Sequence, residues 1–270
     1  MTAAADFRPV YQRVLDDLRN QITSGQLAPG DALPSEEELA QHYDISRSSV
    51  RGAIRALRDS GLVEVHRPRG TFVRTPPIRT VRAPTERYQW EKNRARLPLA
   101  ERDQTGTSER ESGLEKDELD FHATYERQSA SEQVASKLGV EPGTEVLQRI
   151  YETRRKTTQA VIGCSRSYLP TRLIESNPDL FDASNEPWPG ATSHQLYTVG
   201  IEIDTITDSV TTRMPTVDEK SLMRLVDGTP VFEIQKISTS TTGTVVEVSI
   251  IVLPGDRAEL QYTIQLQRWE

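Results

Sequence analysis

Residues 33–74 carry the pattern that most constrains what this 270-residue chain can fold into. Ser35 is a helix-capping residue, and Glu38 stands three positions later, which is the spacing of a capping box. Ser46 can cap a second helix, whose apolar residues recur on one face at the helical period. That apolar face consists of Val50, Ala53, Ile54 and Leu57. The spacing predicts two short helices that are joined by a tight turn.

A basic hairpin follows the second helix. Residues 62–65 and 71–73 alternate like two short strands, and the turn 66–70 between them is rich in arginine. Residues 46–74 hold seven arginines and two acids, a net charge of +5, whereas residues 1–45 carry a net charge of −5. A basic patch confined to one helix and one hairpin is typical of a surface that contacts DNA phosphates. A solvated arginine face is the alternative for the helix taken by itself.

The run LPSEEELAQHYDISRSSVRGAIRALRDSGLVEVHRPRGTFV resembles the winged helix-turn-helix of GntR-family bacterial transcription regulators. The resemblance covers about residues 8–74 and implies that the second helix enters the major groove. It places Arg47 and Arg51 as readers of guanine edges and Gly70 at the wing tip near the minor groove. Many family members carry a basic, phosphate-binding residue where this chain has Glu37. The candidate DNA-binding residues are Ser35, Ser46, Arg47, Ser48, Ser49, Arg51, Arg67, Arg69, Gly70 and Thr71.

Composition limits the other functional classes. The formal net charge is −7, Cys164 is the one cysteine, and no apolar run approaches the length of a membrane span. These features predict a cytoplasmic protein with no membrane association and no intrachain disulfide. We expect three segments, a DNA-binding domain at 1–76, a polar linker at 77–117 and a second domain at 118–270. Tyr88, Trp90, Leu97 and Leu99 could dock parts of the linker on a neighbour.

The second domain has an α+β pattern, with long alternating segments separated by short helical ones. The predicted strands are Leu119–Gln128, Glu145–Arg154, Ala160–Leu169, Ile201–Arg213, Val231–Ser240, Thr244–Leu253 and Leu260–Gln267. The predicted helices are Ser131–Leu138, Thr171–Ser176, Ser193–Val199 and Val217–Val226. Tight turns between strands favour an antiparallel sheet.

This half resembles the UTRA effector-binding domain of the HutC-type GntR subfamily, which shares its fold with chorismate lyase. The matching elements include ASEQVASKLGVEPGTEVLQRIYETR, HQLYTVGIEI and DSVTTRMPTVDEKSLMRLVDGTPVFEIQKIS, over about residues 119–268. The helical, metal-binding effector domain of another GntR branch is disfavoured. His122 and His194 are the histidines of this half, and they fall on different predicted elements. We expect no metal and no cofactor.

The resemblance also suggests where an effector binds. In UTRA regulators of sugar phosphates, two arginines alternate on an early strand, hydroxyl groups at a helix start complete the phosphate site, and a late strand supplies a glutamate and a tyrosine. Here Arg149 and Glu247 are present, but Tyr151 replaces the second arginine and Leu253 the tyrosine. These departures favour a less charged and more apolar effector. The candidate residues are Arg149, Tyr151, Arg166, Thr192, Ser193, His194 and Glu247.

Each candidate has an ordinary structural alternative: an ion pair between strands for Arg149 and Glu247, a helix cap for Thr192, a core position for Tyr151 and a solvent-facing position for His194. The resemblance implies a homodimeric repressor that binds a palindromic DNA operator and leaves it when an effector binds. An effector-free dimerisation domain and an architectural DNA-binding protein remain alternatives. Catalysis is disfavoured, because no nucleophile motif, phosphate-binding glycine loop or metal cluster is found.

Overall fold

The structure is a computed structural model that describes residues 10–75, 77 and 79–268. The chain divides into two compact units. The first comprises Met1–Pro77 with Leu225–Thr229, and the second comprises Ile78–Arg224 with Pro230–Glu270.

The first unit is a three-helix core with a β-hairpin. Its elements are α1 (Val10–Thr23), α2 (Glu36–His42), α3 (Arg47–Asp59), β1 (Val63–His66) and β2 (Gly70–Val73). The predicted capping box is present, since Ser35 Oγ accepts a hydrogen bond from the Glu38 amide at 3.2 Å and Glu38 Oε2 accepts one from the Ser35 amide at 2.7 Å. Ser46 caps α3 through the Ser49 amide. The apolar faces of the helices meet in a core that includes Val14, Leu18, Val50, Ala53 and Leu57.

The second unit is built on a six-stranded antiparallel sheet. Its strands are β4 (Leu119–Ser129), β5 (Glu145–Arg155), β6 (Ala160–Pro170), β7 (Ile203–Arg213), β8 (Val231–Ser240) and β9 (Val245–Pro254). They are ordered β4-β5-β6-β9-β8-β7. This sheet and its helices confirm the predicted α+β class.

The two faces of the sheet are covered differently. On one face, α7 (Glu132–Leu138) packs against Val146 and Val248 in an apolar cluster. On the other face, α8 (Ala191–Tyr197) and two short 3-10 turns pack against Leu147 in a second cluster. The second face also carries a row of polar residues, and it forms the floor of a cavity.

The segment 77–117, which the sequence pattern presents as a linker, carries several elements. They are β3 (Thr80–Arg82), α4 (Pro84–Arg94), α5 (Leu99–Arg102) and α6 (Thr107–Ser112). From residue 78 onward the segment groups with the second unit. Trp90 is stacked by the guanidinium groups of Arg94, at 4.2 Å from its ring centroid, and Arg110, at 4.8 Å. These contacts fold a polar segment that has no long apolar face of its own.

Three predicted elements differ from the structure. Pairing of β10 (Ala258–Leu260) with β3 stops at Leu260, so residues 261–268 form no strand and the predicted strand Leu260–Gln267 is wrong. Tyr262, Ile264 and Leu266, the apolar residues that alternate along that predicted strand, are exposed. The predicted helix Thr171–Ser176 is a 3-10 turn over Thr171–Leu173. Helix α9 (Val217–Leu222) is shorter than predicted, because the backbone of Arg224 is left-handed, with φ of 51°.

Candidate DNA interface and effector cavity

The exposed start of α3 gathers the polar residues predicted to contact DNA. Ser46, Arg47 and Ser48 are exposed, and the Ser46 hydroxyl lies 2.7 Å from that of Ser48. Arg51 follows one turn later on the same exposed face. Hydroxyl, amide and guanidinium donors are thus concentrated at one helix end, and such donors suit phosphate oxygens and base edges.

Two acids of α2 neutralise the arginines of this surface. Arg47 Nη2 lies 2.8 Å from Glu37 Oε1, and Arg51 Nε donates a 2.7 Å hydrogen bond to Glu36 Oε2. All four side chains are well exposed, so each pair contributes at most about 1 kcal/mol to stability. Bound DNA would compete with these carboxylates for the arginines. Glu37 therefore lowers the positive potential of the helix start besides removing an expected phosphate contact.

The hairpin presents a second basic group. Gly70 pairs with His66, and the intervening turn carries the exposed Arg67 and Arg69. The Arg69 guanidinium lies 5.7 Å from the centroid of the Phe72 ring. Gly70 has φ of 118°, a backbone conformation that side chains disfavour, so glycine suits this end of the turn. Thr71 follows it on β2 and is partly buried.

A cavity of about 440 Å³ lies within the second unit. Such a volume is typical of sites for small organic ligands. Its lining combines the polar face of the central strands, the start of α8 and residues of the segment 80–116. The apolar part of the lining includes Phe121, Ile162, Trp188, Ile251 and Leu253.

The sheet face that forms the floor of the cavity carries a row of polar residues in register across four strands, of which Ser249 and Lys236 line the cavity itself. Arg149 of β5 is opposite Ser167 of β6, which is opposite Ser249 of β9, which is opposite Lys236 of β8. Arg149 is 2% exposed, and its Nε donates to Ser167 Oγ at 3.0 Å. Four polar residues on one buried face of a sheet are unusual, because burial of polar groups costs free energy unless they are hydrogen-bonded.

Glu247 joins the two cations of this floor. Its Oε1 lies 2.7 Å from Arg149 Nη2 and its Oε2 lies 2.8 Å from Lys236 Nζ. Ser238 donates a further hydrogen bond to this carboxylate at 3.3 Å. Burial by itself would raise the pKa of Glu247, but the charges of Lys236 and Arg149 outweigh it and lower the pKa to about 2. The sheet face under the cavity therefore holds a buried ion pair, Arg149 with Glu247, and a second, partly buried cation, Lys236.

Tyr151, in the position of the second arginine, belongs to a network around Glu186. Its hydroxyl and that of Tyr125 both donate to Glu186 Oε1, as does Gln195 Nε2 at 2.9 Å. Burial raises the pKa of Tyr125 to about 12 and that of Tyr151 well above 10, so both hydroxyls remain donors. The site consequently presents a carboxylate and a phenol at the position where the resemblance to sugar-phosphate regulators implied a second guanidinium.

The predicted effector residues fall into three groups. Tyr151, Thr192 and Glu247 line the cavity, and Arg149 lies beside them, donating to Thr192 Oγ1 at 3.3 Å. Arg166 is exposed on the opposite face of the sheet, opposite Ile150 in register. Ser193 and His194 lie in the first turn of α8 and are partly buried; neither lines the cavity.

His194 has a structural contact of its own, since its Nδ1 accepts a 2.8 Å hydrogen bond from the Trp188 indole. Burial and the nearby Arg102 charge lower the pKa of His194 to about 4. Its imidazole is therefore neutral near pH 7.

Several lining residues have no counterpart among the sequence predictions. They are Arg82, Arg94, Arg102, Glu186, Gln195 and Lys236. Lys236 and Ser238 could have been found from their alternation on a strand whose facing neighbours are also polar. The arginines of the segment 80–116 carry no such signal, because their neighbours in sequence are polar and charged throughout.

Among the described residues, no group of three or more histidine, cysteine, aspartate or glutamate side chains could hold a metal ion. None of the helices in the described part of the chain is long and apolar enough to span a membrane.

Comparison with known proteins agrees with this division of the chain. Residues 10–73 match the gntR family of bacterial regulatory proteins, and residues 122–259 match the UTRA domain. An HTH-type transcriptional regulator of Streptomyces coelicolor is 29% identical over 265 residues, which cover 96% of this chain and 93% of the relative. The HTH-type transcriptional repressor PhnF of Mycolicibacterium smegmatis is 27% identical over 258 residues, which cover 95% and 93%.

A crystal structure described as a GntR-family transcriptional regulator has a TM-score of 0.67 and 25% identity, and the match covers 96% of this chain and 99% of that one. The two matched regions contain both the basic helix–hairpin surface and the strands of the cavity floor. The protein therefore belongs to the GntR family of bacterial transcription regulators, with an N-terminal winged helix-turn-helix that binds DNA and a C-terminal UTRA domain that binds small-molecule effectors.

Proposed function

We propose that the protein is a homodimeric repressor that binds a palindromic operator and releases it when a small molecule occupies the UTRA cavity. Residues 1–76 are the proposed DNA-binding domain, 118–270 the effector and dimerisation domain, and 77–117 the segment that joins them. The observation that carries the proposal is the coexistence, in one chain, of an exposed arginine-bearing helix start and a preformed cavity with a polar floor.

On DNA, the proposed base readers are Arg47 and Arg51, because they lie at the exposed start of α3. Ser35, Ser46, Ser48 and Ser49, with Thr71, are the proposed phosphate contacts, since hydroxyls and helix starts commonly bind phosphate oxygens. Arg67, Arg69 and Gly70 are the proposed minor-groove contacts of the wing. Two copies of this surface match the two half-sites of an inverted repeat. A chromosomal operator as partner implies work in the cytoplasm.

In the cavity, the proposed effector contacts are Tyr151, Thr192 and Glu247, with Arg149 positioning the last two. Effector binding lowers operator affinity to the extent that the ligand prefers the conformation unable to bind DNA. We propose no catalytic role for this cavity. Its one thiol, Cys164, has a pKa that burial raises to about 11, so it is protonated and a poor nucleophile near pH 7. A turnover assay with chorismate-like substrates tests this.

The operator experiment combines selection and footprinting. Full-length protein selects sequences from a random double-stranded library, and the enriched site is footprinted while sedimentation measures the stoichiometry. We expect an inverted repeat protected by two chains. A footprint without an inverted repeat, or one chain per site, would contradict the homodimer. A metabolite panel then tests regulation, since a ligand that raises the thermal midpoint should also release the operator.

A further inference from the structure

Two guanidinium groups of the cavity wall form no ion pair with a carboxylate in the part of the chain that the structure describes. Arg94 donates to the backbone carbonyl of Arg102. Arg102 donates to two carbonyls, that of Leu97 at 2.9 Å and that of Pro189 at 2.7 Å. Among the described residues, no carboxylate oxygen lies within 4.0 Å of either group. Both side chains line the cavity, and Arg94 is only 7% exposed.

The other cations of the lining are each paired. Arg87 lies 2.6 Å from Glu111, and Arg82 lies 3.7 Å from the same carboxylate. Lys116 is paired with Asp103 and Lys236 with Glu247. Arg94 and Arg102 are therefore the two cations of the lining that form no ion pair, and the lining as a whole, with six basic and five acidic side chains, has one positive charge in excess.

An unneutralised charge that is partly removed from water is costly, because carbonyl oxygens replace only part of the lost hydration. Burial lowers the pKa of both Arg94 and Arg102, and the charges of Glu91 and Glu109 offset this only in part for Arg94. An anion placed against these groups would relieve that cost through charge-assisted hydrogen bonds. The same cavity is lined elsewhere by Phe121, Ile251 and Leu253, which suit an apolar body.

We propose that the UTRA cavity binds a small organic monoanion, a carboxylate with an apolar body, and that Arg94 and Arg102 hold its carboxylate. This assignment rests on the proposed function, since it names the class of effector. A phosphate monoester is disfavoured, because it carries a charge of about −1.5 to −2 near pH 7 and the lining has one positive charge in excess. The carboxylates of Glu186 and Glu247 in the lining oppose a second negative charge as well.

Neither matched region contains these two arginines, since the matches end at residue 73 and resume at residue 122. The charge selectivity is thus assigned to the segment that carries α4 and α5. The sheet, with Arg149, Tyr151 and Glu247, supplies the floor.

The test compares each carboxylate with its own amide. Full-length protein is titrated, by ligand-detected NMR and calorimetry, with 3-phenylpropionate and 3-phenylpropionamide, with cyclohexanecarboxylate and cyclohexanecarboxamide, and with phenyl phosphate. We expect each carboxylate to bind about tenfold more tightly than its amide, the usual size of one charge-assisted hydrogen bond. We expect phenyl phosphate to bind more weakly than the carboxylates.

Matched variants test whether Arg102 is responsible for the preference for carboxylates. Arg102→Gln should reduce the carboxylate preference to about twofold or less, and Arg102→Lys should restore part of it. Arg110→Gln is the control, because Arg110 belongs to the same segment and stacks on Trp90 beside Arg94, but it is exposed and does not line the cavity. Thermal unfolding of each variant checks that the second unit is folded. Amides that bind as tightly as carboxylates, or an undiminished preference in Arg102→Gln, would overturn the proposal.

Operator binding, measured with the same probes, separates this inference from the proposed function. If carboxylates bind at Arg102 without changing operator affinity, the charge assignment stands and the proposed regulation is wrong. If operator is released only by a neutral or dianionic metabolite, the regulation stands and the charge assignment is wrong.

Discussion

Glu247→Gln is the sharpest test of the electrostatics of the cavity floor. The substitution keeps the shape of the side chain but removes the one negative charge that is paired with both Arg149 and Lys236. The pKa of Glu247 is about 2 in the folded protein, against an ordinary value of 4.5. This difference corresponds to about 3 kcal/mol of stability near pH 7. Removal of one partner from a buried ion pair costs a similar amount, about 3–5 kcal/mol.

The pH dependence of stability tests the lowered pKa of Glu247 in a second way. Because the pKa of Glu247 is depressed in the folded state, its contribution is fully present above the unfolded pKa near 4.5. It is lost progressively as the pH falls from 4.5 towards 2, where the folded protein takes up the proton. The stability gap between wild type and Glu247→Gln should therefore be about 3 kcal/mol at pH 7 and narrow below pH 4.5.

Urea unfolding at a series of pH values measures this gap. All three tryptophans follow residue 77 in the sequence, so their fluorescence reports unfolding of the part of the chain that contains the cavity. Glu145→Gln is the control, because Glu145 forms an exposed 3.4 Å pair with Arg127 and should cost less than about 1 kcal/mol. The reasoning fails if Glu247→Gln is within about 0.5 kcal/mol of wild type at pH 7. It also fails if the gap is unchanged at pH 3.

Three further outcomes are expected. Arg47→Ala should weaken operator binding by about 1–3 kcal/mol and relax the base preference at one position of the operator. Titrations with single-base operator variants measure this. Equal weakening of binding to every variant would mean that Arg47 contacts a phosphate instead. Glu37→Gln should raise the affinity for DNA at low salt, because it removes a negative charge 2.8 Å from the Arg47 guanidinium. Binding isotherms that are unchanged in the variant would refute this prediction. His194 should titrate near pH 4 by NMR, because burial and, to a smaller extent, the Arg102 charge lower its pKa. Arg102→Gln removes only the second cause and should raise the pKa of His194 by part of the difference from 6.5; an unchanged midpoint would contradict the contribution of Arg102.

The sequence predicts the first unit and the central sheet closely, because both depend on local rules. Capping residues at Ser35 and Ser46 set the starts of α2 and α3, and alternation sets the six long strands of the sheet. The predicted strand after Leu260 shows the limit of alternation. A strand also needs a neighbour to pair with. The Gln261 amide still donates to the Arg82 carbonyl at 2.9 Å, but residues 262–268 make no backbone pairing in the described part of the chain.

The residues of the candidate site could be predicted from the sequence only where they lie on strands of the central sheet. Arg149 and Glu247 lie 98 residues apart in sequence but adjacent in space, and the resemblance to UTRA regulators named both. The ion pair that was their structural alternative is present, and it lies beside the cavity rather than on a solvated face. Arg94 and Arg102 were not predicted, because their role depends on which carboxylates are absent around them, and no pattern in one sequence reports that.

The position in the chain of the segment between the two matched regions suits it to a role in regulation. It follows directly on residue 77, where the first unit ends, and it supplies Arg94 and Arg102 to the cavity of the second. A ligand held by these arginines would contact side chains of the segment that follows the DNA-binding unit in the chain. Its effect on operator affinity equals the difference in its own affinity for the DNA-competent and DNA-incompetent conformations. A charged contact on that segment could supply such a difference without any ligand contact to the DNA-binding unit, whereas a ligand with equal affinity for both conformations would leave operator affinity unchanged.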